Sequence, residues 1–275
     1  MKKEEYVIDP DAVELERLKE QGRLVTKALP ELSQLKLEKG QRVLDIACGA
    51  GEWAVNVAWM NPDVEVIGID INASAIAYAN DQSKLRGCTN IEFRVMDIYK
   101  PLEFEDESCD YINMRFVVGV LPGDYWSTLL TEIKRILVPG GKLRLIESEY
   151  SSVAGAPNWH FLQMAAFKAF WTLGKSFAPD QIALGPMIKK FVKEADFTNL
   201  ELSSHIIDFS SDSPWHETVR EDFIEAAQLM QKKGLFTSYG GLTQEEYDTA
   251  FVGMCQEMRS QLDAWWYIFT VLSQK

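Results

Sequence analysis

One stretch limits the folds open to this chain more than any other: Val43-Leu44-Asp45-Ile46-Ala47-Cys48-Gly49-Ala50-Gly51. An apolar run that ends in glycines and passes at once into a helical pattern, Gly51 to Met60, is the strand–turn–helix opening of an α/β unit. The next hundred or so residues keep that alternation. Val64 to Asp70 reads as a second strand with one interior acid, Glu65, and Asn72 caps a helix that runs to about Arg86. Ile91, Phe93 and Val95 alternate as a third strand, and Tyr111 to Phe116 forms a fourth. Asp124 is expected to cap a helix with apolar residues at Trp126, Leu129, Leu130, Ile133 and Leu137, stopped by Pro139-Gly140-Gly141. Leu143, Leu145 and Ile146 then form a fifth strand. Strands separated by helices imply a parallel sheet with right-handed crossovers.

Outside this core the pattern loosens. Residues 11–29 read as a helix opened by Asp9-Pro10 and closed by Pro30. Residues 158–173 read as a helix rich in aromatics: Trp159, Phe161, Phe167, Phe170 and Trp171. A helix over Gly185 to Phe197, a strand over Leu200 to Phe209, helices over 214–233 and 243–262, and a last strand over Ala264 to Leu272 complete the chain. The expected organisation is an N-terminal helical lid (1–40), a core (41–149) and a remainder (150–275) whose segments 150–184 and 212–262 cover a substrate.

The net charge of −13 repels phosphate backbones and anionic lipid, so nucleic acid and membrane are not expected partners. Lys189-Lys190 and Lys232-Lys233 read as solvated helix surface. Cysteines at 48, 88, 109 and 255 lack C-x-x-C spacing, and no cluster of His, Cys and acids suggests a metal. The start, Met1-Lys2-Lys3-Glu4-Glu5, has no apolar signal segment, and the longest apolar run, Ala264 to Leu272, falls short of the ~20 residues a bilayer span takes. The expectation is a cytoplasmic, reduced protein.

The glycine turn carries the chemistry. Ligands of open α/β sheets bind at the carboxyl ends of the strands. A dinucleotide turn would read G-x-G-x-x-G, with pyrophosphate at the helix N-terminus. Here Gly49 and Gly51 stand one residue apart, and Asp45 precedes them. That acid repels pyrophosphate and suits a cationic amino acid moiety. Asp70, ending the second strand, can accept hydrogen bonds from both ribose hydroxyls and would reject a phosphorylated ribose. Val95-Met96-Asp97-Ile98 ends the third strand with another acid.

The segment from Asp45 to Gly51 resembles motif I of the class I methyltransferases, D-x-G-x-G-x-G, with Ala47 in place of the first glycine. That replacement is mild where the backbone keeps φ below zero. Leu137-Val138-Pro139-Gly140-Gly141 resembles the family's L-x-P-G-G turn, whose role is structural. The whole is similar to the small-molecule methyltransferases of ubiquinone and menaquinone biosynthesis. The resemblance implies a Rossmann-like, mostly parallel seven-stranded sheet with its last strand antiparallel, and S-adenosylmethionine as cofactor, released as S-adenosylhomocysteine. It implies that Asp45, Ala47, Gly49 and Gly51 lie at the methionine part, that Asp70 meets the ribose and that Ile71 also binds the cofactor. Asp97 and Ile98 would meet adenine, and Asn113, Met114, Arg115 and Phe116 would border the sulfonium. Tyr6 and Arg23 are expected to close over the cofactor, whose carboxylate is the natural partner of an arginine.

The substrate is expected beyond the fourth and fifth strands. Glu147 and Glu149 alternate, so they should share a face there, where a carboxylate can take a proton or steady a cation. Of the three histidines, 160, 205 and 216, His160 opens the aromatic helix and is the best imidazole candidate. The expected reaction is methyl transfer to O, N or C of a small apolar or aromatic metabolite, and a homo-oligomer is compatible with the chain. Competing readings are non-methyl chemistry such as cyclisation on the same fold, a sensor that binds adenosylmethionine without turnover, and an NAD-dependent oxidoreductase.

Overall fold

The computed structural model describes residues 12–29 and 35–275, so Tyr6 and Pro30 lie outside the described residues. Helix α1 (Ala12–Ala28) precedes the sheet. The core then alternates β1 (Arg42–Ile46), α2 (Glu52–Met60), β2 (Glu65–Asp70), α3 (Ala73–Leu85), β3 (Ile91–Val95) and β4 (Cys109–Arg115). It continues with α4 (Trp126–Ile136), β5 (Leu137–Val153), α5 (Pro157–Thr172), α6 (Leu184–Glu194) and β6 (Thr198–Asp208). Helix α7 (His216–Lys232), a π-helical turn (Leu235–Tyr239), α8 (Gln244–Glu257) and β7 (Ala264–Gln274) close the chain.

The seven strands form one sheet in the order β3-β2-β1-β4-β5-β7-β6. β1 to β5 pair in parallel, and β7 runs antiparallel between β5 and β6, as expected of the last strand. The central strands are apolar because both faces are covered: Val43, Leu44 and Ile46 of β1 are wholly buried. The strand order reverses between β1 and β4, which makes the carboxyl ends of these two strands the topological switch point.

Two glycines of the core are packing positions. A Cβ on Gly51 would stand 2.6 Å from that of Ala79, and one on Gly68 would stand 2.5 Å from the Phe93 ring. The first turn of the sheet can therefore close on α3 and β3 only with hydrogen at both positions.

Two local expectations change. Asp124 does not cap α4; Tyr125 holds the N-cap position and no side chain caps that end. Pro139-Gly140-Gly141 does not stop the helix either, because α4 already ends at Ile136 and the segment belongs to the start of β5. Gly141 is required there, since a Cβ would stand 2.9 Å from the Val138 carbonyl oxygen and 3.2 Å from that of Asp110.

Candidate active site

A cavity of about 2060 Å³ opens over the carboxyl ends of the central strands. Ligand pockets commonly measure about 300–1,000 Å³, so this one has room for two molecules side by side. One half is lined by the strand tips, with Asp45, Ala47, Gly49, Asp70, Ile71, Asp97 and Ile98 all on its wall. The other half is a chamber of apolar side chains, among them Trp159, Phe167, Phe170, Phe223, Phe236 and Trp266.

On the strand-tip side each acid is fixed by amides. Asp70 accepts from Gly49 N (2.8 Å) on one oxygen and from Asn72 N (2.9 Å) on the other. Burial raises its pKa, while the amides of Asn72, Gly49 and Ile71 oppose the rise. Asp97 accepts from Tyr99 N at 3.0 Å and stands 3.7 Å from Lys100 Nζ. Ile71 keeps a half-exposed apolar side chain beside Asp70. Gly49 is left-handed (φ 54°), and nothing lies within 4 Å of where its Cβ would be. Its backbone is thus open to a ligand, whereas Gly51 is enclosed by protein.

Ala47 also takes a left-handed backbone, φ 54°. The replacement of glycine here is therefore not mild: an L-residue in this region costs about 1–2 kcal/mol.

Asn113 and Met114 do not line the cavity. The Asn113 amide is buried in the sheet, donates to Asp45 Oδ1 at 2.8 Å and accepts from Arg144 at 3.3 Å. The Met114 side chain lies in the hydrophobic core under α4. Arg115 does reach the cavity and donates to Thr26 of α1 at 3.3 Å. Arg23 points elsewhere: it pairs with Glu20 at 2.5 Å and lies 3.9 Å from Glu52. The arginine that α1 sends into the cavity wall is Arg17, buried against Asp222 of α7 at 2.5 Å, with Gln21 donating to the same carboxylate at 3.0 Å.

The two acids of β5 differ in their surroundings. Ser148 pairs with Ile268 and Tyr150 with Tyr267, so Glu149 is the extra residue of a β-bulge. Glu147 has no exposed surface, and its two oxygens accept from Val117 N (2.8 Å) and Val118 N (3.2 Å). Burial pushes its pKa up to about 8, helped by Glu149 and opposed by the two amides. Glu149 lines the cavity and accepts from Gly185 N at 3.1 Å, in the first turn of α6. Burial raises its pKa as well.

His160 is exposed and does not line the cavity. Of the aromatic helix, Trp159, Phe167 and Phe170 face the chamber, while Phe161 and Trp171 are half-exposed outside it. Sequence reasoning missed Arg17, Gln21 and Asp222, yet a signal existed. Asp222 falls three residues after Val219 on the buried stripe of α7, and Arg17 precedes Leu24 by seven on that of α1. It also missed Leu235, Phe236 and Tyr239, which the π-helical turn presents to the chamber.

Among the described residues no helix is long and apolar enough to cross a membrane. A family model described as a methyltransferase domain matches residues 37–213. Demethylmenaquinone methyltransferase from Geobacillus kaustophilus is 30% identical over 125 residues, 45% of this chain and 52% of that protein. Methyltransferase str3 from Strobilurus tenacellus is 30% identical over 146 residues, 53% of this chain and 49% of that protein. The chain thus spans about half the length of these curated relatives. Among solved structures, the YcgJ protein from Bacillus subtilis superposes with a TM-score of 0.53 at 15% identity, covering 94% of this chain and 98% of that one. Phosphoethanolamine N-methyltransferase 2 from Haemonchus contortus, solved with S-adenosylhomocysteine, gives 0.52 at 19% identity, covering 92% and 53%. These two likenesses concern the fold.

Proposed function

The chain belongs to the methyltransferase domain family, of the class I S-adenosylmethionine-dependent type, and from that premise we propose that it methylates a small, largely apolar or aromatic metabolite held in the chamber beside the strand tips. The observation that carries this reading is the division of one cavity into two halves of different chemistry. Three carboxylates and an open glycine backbone line one side, and aromatic rings line the other.

The residues on the strand-tip side fit an adenosyl-amino acid. Asp70 has carboxylate lone pairs left for ribose hydroxyls after its two amide bonds. Asp97 and Ile98 take the adenine edge and face, and Ile71 packs from the ribose side. Ala47 and Gly49 let the methionine part lie on bare backbone, with Asp45 toward its ammonium group and Arg115 toward its carboxylate. Asn113 orients Asp45 rather than touching the cofactor, and Met114 supports the strand from the core. Arg23 and His160 have no place in this scheme.

The cofactor supplies a methyl group on a cationic sulfur. The chain's part is to hold the acceptor in line with it and to keep water out. The rings of Phe167, Phe170, Phe223 and Phe236 exclude water and seat an apolar acceptor. Glu149 is the β5 carboxylate on the wall, and a carboxylate whose pKa burial raises is suited to take the acceptor's proton. The test is incubation of the protein with S-adenosylmethionine and a panel of aromatic and apolar metabolites, read by mass spectrometry. A product heavier by one methylene (about +14 Da) for an aromatic or apolar member supports the reading; methylation confined to highly polar members overturns the chamber assignment.

A further inference from the structure

Glu147 is the carboxylate that this scheme leaves unused, and its position is unusual. It sits on the strand next to β4, has no exposed surface, and is met by two consecutive backbone amides. The turn that offers those amides begins with Phe116 in the left-handed region, φ 54°. A left-handed residue before successive amides makes a concave anion site, and here a side chain of the same protein fills it.

The turn held in this way, residues 116–120, is itself cavity wall. Tyr99, beside Asp97, donates to the Val120 carbonyl at 2.9 Å, so one end belongs to the adenosyl side. Gly119 packs on Phe170 so closely that a Cβ would lie 2.9 Å from the ring, so the other flank belongs to the chamber. The Phe116 ring lies 5.8 Å from that of Trp266, another chamber residue, at a tilt of 32°. The turn is therefore the partition between the two halves.

We propose that Glu147 is a positioning residue for methyl transfer: seated on the amides of Val117 and Val118, it fixes the partition that sets how an acceptor in the chamber approaches the cofactor. This rests on the proposed function for its consequence, though not for the anchor itself. A purely structural acid would behave differently. Its removal would orphan the Val117 and Val118 amides and lower stability, and transfer would fall only as folded protein is lost. A positioning acid should lose transfer beyond that.

The experiment uses the full chain, wild type, Glu147→Gln and Glu147→Leu. Hydrogen exchange is followed at the amides of residues 116–120, with melting temperature and S-adenosylhomocysteine affinity measured in parallel. In the wild type the amides of Val117 and Val118 should be as protected as those of β4. In the variants they should exchange at least about tenfold faster, more in Leu than in Gln, while β4 and β5 stay protected. Affinity for S-adenosylhomocysteine should stay within about twofold, and the rate of transfer to the acceptor found by the +14 screen should fall about tenfold or more at an unchanged KM for S-adenosylmethionine. Rapid exchange at Val117 and Val118 in the wild type would overturn the proposal without recourse to any variant. So would unchanged exchange in both variants, or a transfer rate that falls only as the melting temperature falls. Failure of the wild type to bind S-adenosylhomocysteine would count against the proposed function and leave the anchor to be judged by the exchange data.

Discussion

The two halves of the cavity are built by opposite means. The strand-tip half is made of strand ends and tight turns, where Asp70 and Asp97 accept from backbone amides of their own or the neighbouring turn. The chamber half is assembled from elements far apart in the chain: α5 contributes three rings, the π-helical turn two, and α7 and β7 one each. Its polar ties are also distant, such as Arg17 to Asp222 and Glu257 to the amides of Asn158 and Trp159. A local half is fixed by geometry, and a distant half is fixed by packing. The first suits a constant cofactor and the second a substrate.

If that contrast holds, changes on the two sides should separate cleanly. The largest expected effect is on the chamber's packing. Phe170→Ala should cost about 3 kcal/mol of stability, read by denaturant unfolding, with S-adenosylhomocysteine affinity in the folded protein kept within about twofold. A matching loss of affinity would mean that the halves are not independent. Next, Glu149→Gln should lower kcat about a hundredfold, or ~2.7 kcal/mol in barrier, with cofactor affinity intact. Because burial raises the pKa of Glu149, wild-type kcat should climb with pH over a range higher than an ordinary carboxylate would give, and the variant should lose that limb. An unchanged kcat would remove Glu149 from the chemistry.

On the other side, Asp70→Ala should weaken S-adenosylhomocysteine binding by about 2 kcal/mol while the chamber stays intact. The smallest effect is expected at Ala47. Glycine relieves its left-handed strain but loses more chain entropy on folding, so Ala47→Gly should raise stability by under about 1 kcal/mol, visible as a small rise in Tm. A fall in Tm would show that the alanine is not strained.

How much could be read from the sequence obeys the same division. The strand-tip acids and the glycine turn were legible because each role depends on spacing along a single β–α unit. The backbone at Ala47 was not, since its sign of φ depends on how the turn closes over β1 and β2. Glu147 and Glu149 are not told apart by alternation along β5, since their partners come from the turn after β4 and from the first turn of α6. Arg17 and Arg23 both lie on the lid helix, and only the partner on α7 distinguishes them. The chamber's aromatic content was visible, but which rings face inward depends on docking of α5 against α8 and the π-helical turn, which leaves Phe161 and Trp171 outside.

The central claim is that the strand tips hold an adenosyl group. Calorimetric titration of the wild-type protein with S-adenosylhomocysteine tests it most directly. Saturable one-site binding with a Kd of about 10 μM or tighter is the predicted result. No saturable heat up to about 1 mM, under conditions where the protein is folded, would contradict it.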